Sequence, residues 1–332
     1  MSILLSVIIP IYNVEEFVRS SLESILNQGI DESSCEIILV NDGSTDNSMA
    51  MIQDIVDAHA NIRIIKQENQ GLSVTRNNGL SVAKGEYILM HDSDDLLIPG
   101  SLKPILDKAL ETKADLVVAD FLKKSNEEIA ELKLDEIVQP EIVVKEKLGK
   151  ELFMEDLDPY SCYVWRTLYR KTFLIENSLS FVPGIFFQDI PFTHECFMKA
   201  KKSIRTTRML NIYRVNRRGA ATHSFSPHKA KSFSIAIAKT WRLRQLEGIS
   251  SDMRYKLEED MYISFRMMLY RTLYCVHNRA DRNKIMDILN ENTLKIFFTH
   301  SIKQRLFTAL VKWFPHLFIN FYYKYAQIAF KK

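Results

Sequence analysis

EIILVNDGSTD, residues 36–46, opens on isoleucine, leucine and valine and closes on a polar turn. A short, continuous, β-branched apolar run is the mark of a strand buried on both faces, and Asp-Gly-Ser ends it in a turn. The same unit recurs on either side. Strands are predicted at Leu4–Pro10, Glu36–Asn41, Ile62–Gln67, Tyr87–His91 and Leu116–Asp120. Helical spacing fills Glu15–Gln28, Asp46–Ala58, Leu72–Ala83 and Ser101–Glu111 between them. Strand-helix alternation predicts an α/β fold, a mostly parallel sheet with helices on both faces. Ligands of such sheets bind beyond the carboxyl ends of the strands.

Four polar clusters fall at that edge. They are Pro10-Ile11-Tyr12-Asn13, the stretch Asn41 to Asp46, Asn69-Gln70-Gly71 with Arg76-Asn77-Asn78-Gly79, and His91-Asp92-Ser93-Asp94-Asp95. Each alone has a plain reading. Asp-Gly-Ser is a common turn, Asp46 can cap a helix, and Arg76 and Asn77 can be solvated helix residues. Four in register at one sheet edge mark a site. Three carboxylates in four residues repel one another unless a positive charge sits among them. Mg²⁺ or Mn²⁺ shared with a diphosphate is a natural answer, because these cations take oxygen ligands. An acidic capping turn before Leu96 is the competing reading, with Asp95 as cap. Downstream, FFQDIPF (186–192) sets Asp189 among aromatics before a helix. It is either an N-cap, with Pro191 near the helix start, or a general base whose pKa an apolar entrance raises.

The chain resembles glycosyltransferase family 2. The resemblance rests on SVIIPIYN, VNDGSTDNS, ENQGLSVTRNNGL and GEYILMHDSDD, and more loosely on YVWRTLYRKTFL and FFQDIPFTHECF, over residues 4–215. It implies a GT-A fold and inverting, metal-dependent transfer of a sugar, of the hexosyl type, from a nucleotide donor to an acceptor hydroxyl. It implies that Pro10 and Tyr12 line the base pocket, Tyr12 stacking on uracil. Asp42 would accept the uracil imide N–H, Arg76 would approach base and ribose, and Asp92 would lie near the ribose. Asp94 would bind the metal and Asp189 would be the base. Gln188 stands where the family carries Glu. A late histidine, His223, is a further metal candidate or a surface-loop residue. Arg217 and Arg218 are candidates for the diphosphate or a solvated basic loop.

The chain length of 332 residues suggests two domains, or one with a long extension. We expect a catalytic domain over 1–225, its nucleotide half 1–120 and its acceptor and base half 121–225, and a helical region over 226–332. Residues 123–158 read as an acidic excursion. Regular patterning returns at Tyr163–Ile175 and Ile190–Ala200. Residues 1–160 carry 14 Lys and Arg against 30 Asp and Glu, net −16, and residues 161–332 carry 30 against 11, net +19. The basic half fits nucleic acid, an anionic membrane or an anionic acceptor. Cys35, Cys162, Cys196 and Cys275 form no C-x-x-C pair, and free buried thiols in a reducing compartment are expected. MSILLSVIIPIYN reads as a first strand rather than a signal peptide, so a cytoplasmic address is expected.

From Ser301 the sequence is SIKQRLFTALVKWFPHLFINFYYKYAQIAFKK, with six Lys or Arg and no acid. Its longest uncharged run, Trp313 to Tyr323, has eleven residues, short of the ~20 a spanning helix needs. Leu306, Leu310, Phe314, Leu317, Phe321 and Ile328 recur at helical spacing. A peripheral helix on the inner face of the cytoplasmic membrane is expected, against an ordinary helix packed on the catalytic domain or on a second subunit. Three other functions compete. A sugar nucleotidyltransferase needs a Gly-rich basic phosphate loop after the first strand, and Ile11-Tyr12-Asn13-Val14 is not one. A non-catalytic nucleotide-sugar or glycan-binding protein would not need Asp94 and Asp189. Nucleic-acid binding has only the basic half behind it, without a motif.

Overall fold

A computed structural model of the chain describes residues 2–157, 162–216, 224–292 and 301–329. They form two compact units. One comprises Met1–Glu155, Tyr163–Gly184 and Cys196–Arg218; the other comprises Asp156–Cys162, Ile185–Glu195 and Gly219–Lys332.

The first unit holds a mixed sheet of nine strands among the described residues, ordered β3-β2-β1-β4-β8-β6-β9-β5 with β7 on β9. The strands are β1 (Leu5–Ile11), β2 (Cys35–Asn41), β3 (Ile62–Lys66), β4 (Tyr87–Met90), β5 (Leu96–Leu97), β6 (Leu116–Lys124), β7 (Val144–Lys147), β8 (Thr167–Arg170) and β9 (Ser203–Arg214). β1, β2, β3, β4, β6 and β9 run one way, and β5, β7 and β8 run the other. All seven residues of β1 are buried, as its unbroken apolar run requires in a strand covered on both faces. Its one polar side chain, Ser6, is satisfied: the hydroxyl donates to Glu36 (2.6 Å) and accepts from the Gly85 amide (2.8 Å).

β1 lies between β2 and β4 and parallel to both, so the chain leaves it in one direction and returns on the other side. Such a reversal opens a crevice at the carboxyl edge. The helices of this half are α1 (Val18–Leu26), α2 (Gln53–Ala58), α3 (Leu72–Val82) and α4 (Leu102–Thr112). α1 buries Val18, Leu22 and Ile25, spaced for one helix face. α3 approaches β1 so closely that a Cβ on Gly79 would sit 2.4 Å from Ile8 Cγ2. α5 (Asn126–Glu131), α6 (Gly149–Glu155) and α7 (Lys171–Glu176) complete the unit, and α8 (Asp189–Lys199) runs from the second unit into the first.

Several boundaries differ from the sequence reading. Asp46–Ala58 is not one helix: a 3₁₀ turn at Ala50–Ile52 precedes α2, and residues 42–49 are loop. β6 continues four residues beyond Asp120 because β9 pairs with it along its length. The acidic stretch 123–158 carries α5, β7 and α6, α5 opening on a Ser125–Glu128 capping box. Tyr163–Ile175 divides into a 3₁₀ turn, β8 and α7.

The second unit is helical: α9 (Pro227–Trp241), α10 (Ser251–Cys275), α11 (Arg279–Asn292), α12 (Ile302–Trp313) and α13 (Pro315–Ala329). Ser226, Ser250 and Ser301 cap α9, α10 and α12 by accepting amide bonds from Lys229, Met253 and Gln304. Phe233, Met261, Phe265, Met268, Ile285, Met286 and Leu289 are fully buried there. Pro315 divides the C-terminal stretch as its ring requires. No helix among the described residues is long and apolar enough to cross a membrane.

Candidate active site

The loops after β1 and β2 are cross-linked. Asn13 takes a left-handed backbone (φ 51°), which asparagine tolerates better than most residues. Its side-chain oxygen accepts from the Thr45 amide (2.9 Å), and its own amide donates to Ser44 Oγ (3.3 Å). The Val14 amide donates to Ser48 Oγ (2.8 Å) and the Glu15 amide to Asp46 (3.1 Å). Glu15 in turn accepts from the Asn47 amide (2.8 Å). Asp46 is therefore a tie between two loops, and this explains why no helix begins there. Pro10 is buried at the end of β1, while Tyr12 just beyond it is 48% exposed.

Asp42 is buried and organises the loop after β3. Oδ1 accepts from Gln67 Nε2 (2.7 Å) and the Gln70 amide (2.8 Å), and Oδ2 from the Gly71 amide (2.9 Å). A carboxylate has about four acceptor positions, so one remains for a further donor. Gln67 also accepts from Asn78 (2.6 Å), which ties the network to α3. Gly43 has φ 75°, and a Cβ there would lie 3.0 Å from the Asn69 amide nitrogen, so this turn admits glycine.

One residue further along α3 than Thr75, Arg76 is fully buried. Its guanidinium pairs with Asp92 at 2.6 Å and lies 5.2 Å from the Phe181 ring centroid. Asn77 pins Phe181 by accepting from its amide (2.9 Å) and donating to its carbonyl (2.8 Å). Arg76 thus reaches Asp92, the residue that the resemblance sets near the ribose.

The acidic cluster follows β4. Asp92 and Asp94 are half-buried, and Asp95 is buried. The Asp95 carboxylate accepts the Arg214 amide (2.8 Å). Arg214 Nε donates to the Asp94 carbonyl (2.7 Å), and its guanidinium lies over the Phe17 ring. β9 thereby fixes the acidic turn from behind. Burial first, then the charges of Asp94 and Asp92, push the Asp95 pKa well above the usual carboxylate range. The neighbouring His91 is pushed down to about 4 by burial, and its Nε2 sits 3.0 Å from Ser21 Oγ. Asp95 is thus an anchor, while Asp92 and Asp94 are the carboxylates with access.

The oxygen donor set fits a hard divalent cation. Among the described residues no three His, Cys, Asp or Glu side chains form a metal cage. Mg²⁺-type sites need none, since one or two carboxylates share the ion with substrate phosphates. His223, Arg217 and Arg218 lie outside the described residues.

The pair Arg76–Asp92 makes a stability prediction. Asp92→Ala removes the ion-pair partner of a fully buried guanidinium, which costs about 3–5 kcal/mol. Asp94→Asn removes a charge that raises Asp95 and should leave the melting temperature near wild type. Thermal denaturation of the two variants checks this contrast; equal losses would contradict it.

In the second unit Asp189 is half-buried and is the first residue of α8. Phe187, two residues earlier, holds φ 61°, a strained backbone for a bulky side chain. Its ring packs edge-on against Phe233 (4.6 Å), with the Arg271 guanidinium 5.9 Å from its centroid. Gln188 is buried. The Ile190 amide donates back to the Phe187 carbonyl (3.2 Å). A packed, strained turn therefore fixes where the Asp189 carboxylate begins its helix.

Residues 6–173, half the chain, match the model of the family Glycosyl transferase family 2. The chain belongs to glycosyltransferase family 2. It is 33% identical over 245 residues to the uncharacterized glycosyltransferase EpsJ of Bacillus subtilis, covering 71% of this chain and 69% of EpsJ. S. aureus TarS 1–349, solved in complex with UDP-GlcNAc, shares the fold with a TM-score of 0.73 at 17% identity, covering 93% of this chain and 87% of that one. The mannosyltransferase PcManGT from Pyrobaculum calidifontis, solved with GDP-Man and Mn²⁺, gives a TM-score of 0.56 at 15% identity over 98% of this chain and 85% of its own. The mixed, mostly parallel sheet of this family 2 enzyme is the GT-A fold.

In this glycosyltransferase the residues Pro10, Tyr12, Asp42, Arg76, Asp92 and Asp94 gather at one sheet edge, and Asp189 belongs to the second unit. Sequence reasoning missed Gln67, Phe181 and Arg214. Gln67 follows the last residue of β3, and its amide donates to the Asn41 carbonyl (3.0 Å) at the end of β2, a placement at the site edge that could have flagged it. Phe181 and Arg214 carry no local signal.

Proposed function

We propose that this glycosyltransferase moves a sugar from a nucleoside-diphosphate donor, in our reading a UDP-sugar, onto an acceptor hydroxyl with inversion, in surface polysaccharide or glycan assembly. The observation behind it is the carboxyl edge of the sheet, where Asp42 keeps an acceptor position and Asp92 and Asp94 stand half-open beside Tyr12's loop. UDP-GlcNAc bound to a protein of the same fold supports the donor class.

Tyr12 stacks on the base, with Pro10 beneath the pocket, and Asp42 accepts the imide N–H. Asp92 orients the ribose, and Arg76, paired with Asp92, serves the base and ribose side of the nucleotide. Asp94 would hold a divalent cation, Mn²⁺ or Mg²⁺, which when bound offsets the charge of the departing diphosphate. Mn²⁺ in the mannosyltransferase complex supports this. His223 is a second candidate ligand. Asp189 accepts the acceptor hydroxyl proton. The oxygen then forms its bond to the anomeric carbon as the bond to the diphosphate breaks, so the configuration inverts without an enzyme-bound intermediate. Residues 1–120 serve the nucleotide and 121–225 the acceptor and base. Region 226–332 holds the enzyme peripherally at the inner face of the cytoplasmic membrane, near a lipid-linked or glycan acceptor.

Incubation with UDP-, GDP- and dTDP-sugars in Mn²⁺, following nucleoside diphosphate release, tests the reading. Release from a UDP-sugar is expected. Binding with no turnover for any donor and acceptor mixture would favour a non-catalytic nucleotide-sugar binder.

A further inference from the structure

We infer that the outward face of α12 and α13 docks on an anionic lipid bilayer. This deepens the membrane placement above, and vesicle binding is read independently of sugar transfer. The two helices already spend one face on their neighbours. Gln304, Thr308, Val311 and Ile319 are buried. Phe307 packs edge-on against Tyr262 (5.8 Å) and Phe265 (6.3 Å) of α10. Asn320 donates to Asn283 of α11 (2.8 Å), and the Arg282 guanidinium stacks 3.6 Å from the Tyr323 ring centroid. An ordinary packed helix accounts for this face alone.

The opposite face is apolar too. Leu306, Leu310, Trp313, Phe314, Leu317 and Phe321 are between 51% and 71% exposed. At 3.6 residues per turn, positions 306, 310 and 313 share one side of α12, and 317 and 321 share one side of α13. Exposed apolar faces on two successive helices mark an interaction site. Its charge decides the occupant. Lys303, Arg305, Lys312 and Lys324 are exposed on the same two helices, and no acid follows Glu291. A second copy seated on the stripe would bring both sets of cations to one seam without a carboxylate in either helix pair. An anionic bilayer complements them, takes up the apolar stripe, and suits Trp313 and the half-exposed Tyr322 at headgroup level.

Deleting α12 and α13 would strip Phe307 from Phe265 and Asn320 from Asn283, so it would test folding. Substitution on the exposed face tests docking. The full-length chain is co-sedimented with vesicles of phosphatidylcholine alone or mixed with phosphatidylglycerol. Wild type should favour the anionic vesicles roughly tenfold or more, with high salt weakening binding without abolishing it. The double variant W313S/L317S should lose roughly tenfold or more on both vesicle types. The variant K303E/K324E should lose the anionic preference. Both variants should melt and bind UDP as wild type does. Three results would overturn the inference: wild type that ignores anionic vesicles, a stripe variant that binds them unchanged, or a wild-type dimer that W313S/L317S converts to monomer without vesicle binding by either.

Discussion

Asp189→Asn should lower turnover by about 10²–10⁴-fold and leave donor affinity unchanged. Asparagine keeps the size of the side chain but cannot take a proton at the reacting oxygen. The carboxylate is half-buried at the first residue of α8, behind a Phe187 whose left-handed backbone is held by Phe233. That rigidity is what a base needs, since a proton acceptor must stand within hydrogen-bond reach of the hydroxyl. A purely structural role predicts a different result. Losing one acid from the first turn of a helix costs about 0.3–1 kcal/mol of stability and nothing in rate. Steady-state kinetics on Asp189→Asn beside its melting curve separates the two. Wild-type turnover with a small drop in melting temperature would make Asp189 a helix-start residue only.

Activity should also vanish in EDTA and return with Mn²⁺ or Mg²⁺, and Asp94→Asn should lose about 10²-fold or more in turnover, the several kcal/mol that Lewis-acid stabilisation supplies. Asp94 stands next to Asp95, whose proton affinity is raised by burial and by the charges of Asp94 and Asp92. Crowded carboxylates of this kind favour a cation at a half-buried, accessible member of the set. The backbone of Asp94 is fixed from behind by Arg214, so the asparagine variant should keep its place in the turn. Full activity in chelator, or full activity of Asp94→Asn, would contradict the assignment.

The strands around β1 were legible because burial on both faces demands an unbroken apolar run, and β1, β2 and β4 obey that demand with little polar interruption. The site edge was legible for the same reason: polar clusters that follow such runs must emerge at the carboxyl ends of parallel strands. What stayed hidden depends on partners far away in the chain. β5 is two residues long and exists because β9 pairs with it. β7 reads Val-Lys-Glu-Lys, a sequence that nothing local marks as a strand, and it too is formed by pairing with β9. Arg76 looks like a solvated helix residue, and its complete burial depends on partners distant in the chain, Asp92 sixteen residues on and the Phe181 ring. The tie made by Asp46 links loops thirty-one residues apart and erased a predicted helix start. The C-terminal helices were legible as amphipathic, but not that they carry two faces, since their inward contacts are to α10 and α11.

Calorimetric titration of UDP into the full-length chain is the most direct test of a nucleoside-diphosphate site at the carboxyl edge of this sheet, completed by a cation on Asp94. One UDP per chain should bind in Mn²⁺, binding should be lost in EDTA and weakened at least about tenfold in Asp94→Asn, and Asp189→Asn should bind as wild type does. No heat from UDP or any other nucleoside diphosphate in Mn²⁺, or binding that Asp94→Asn leaves untouched, would contradict such a site.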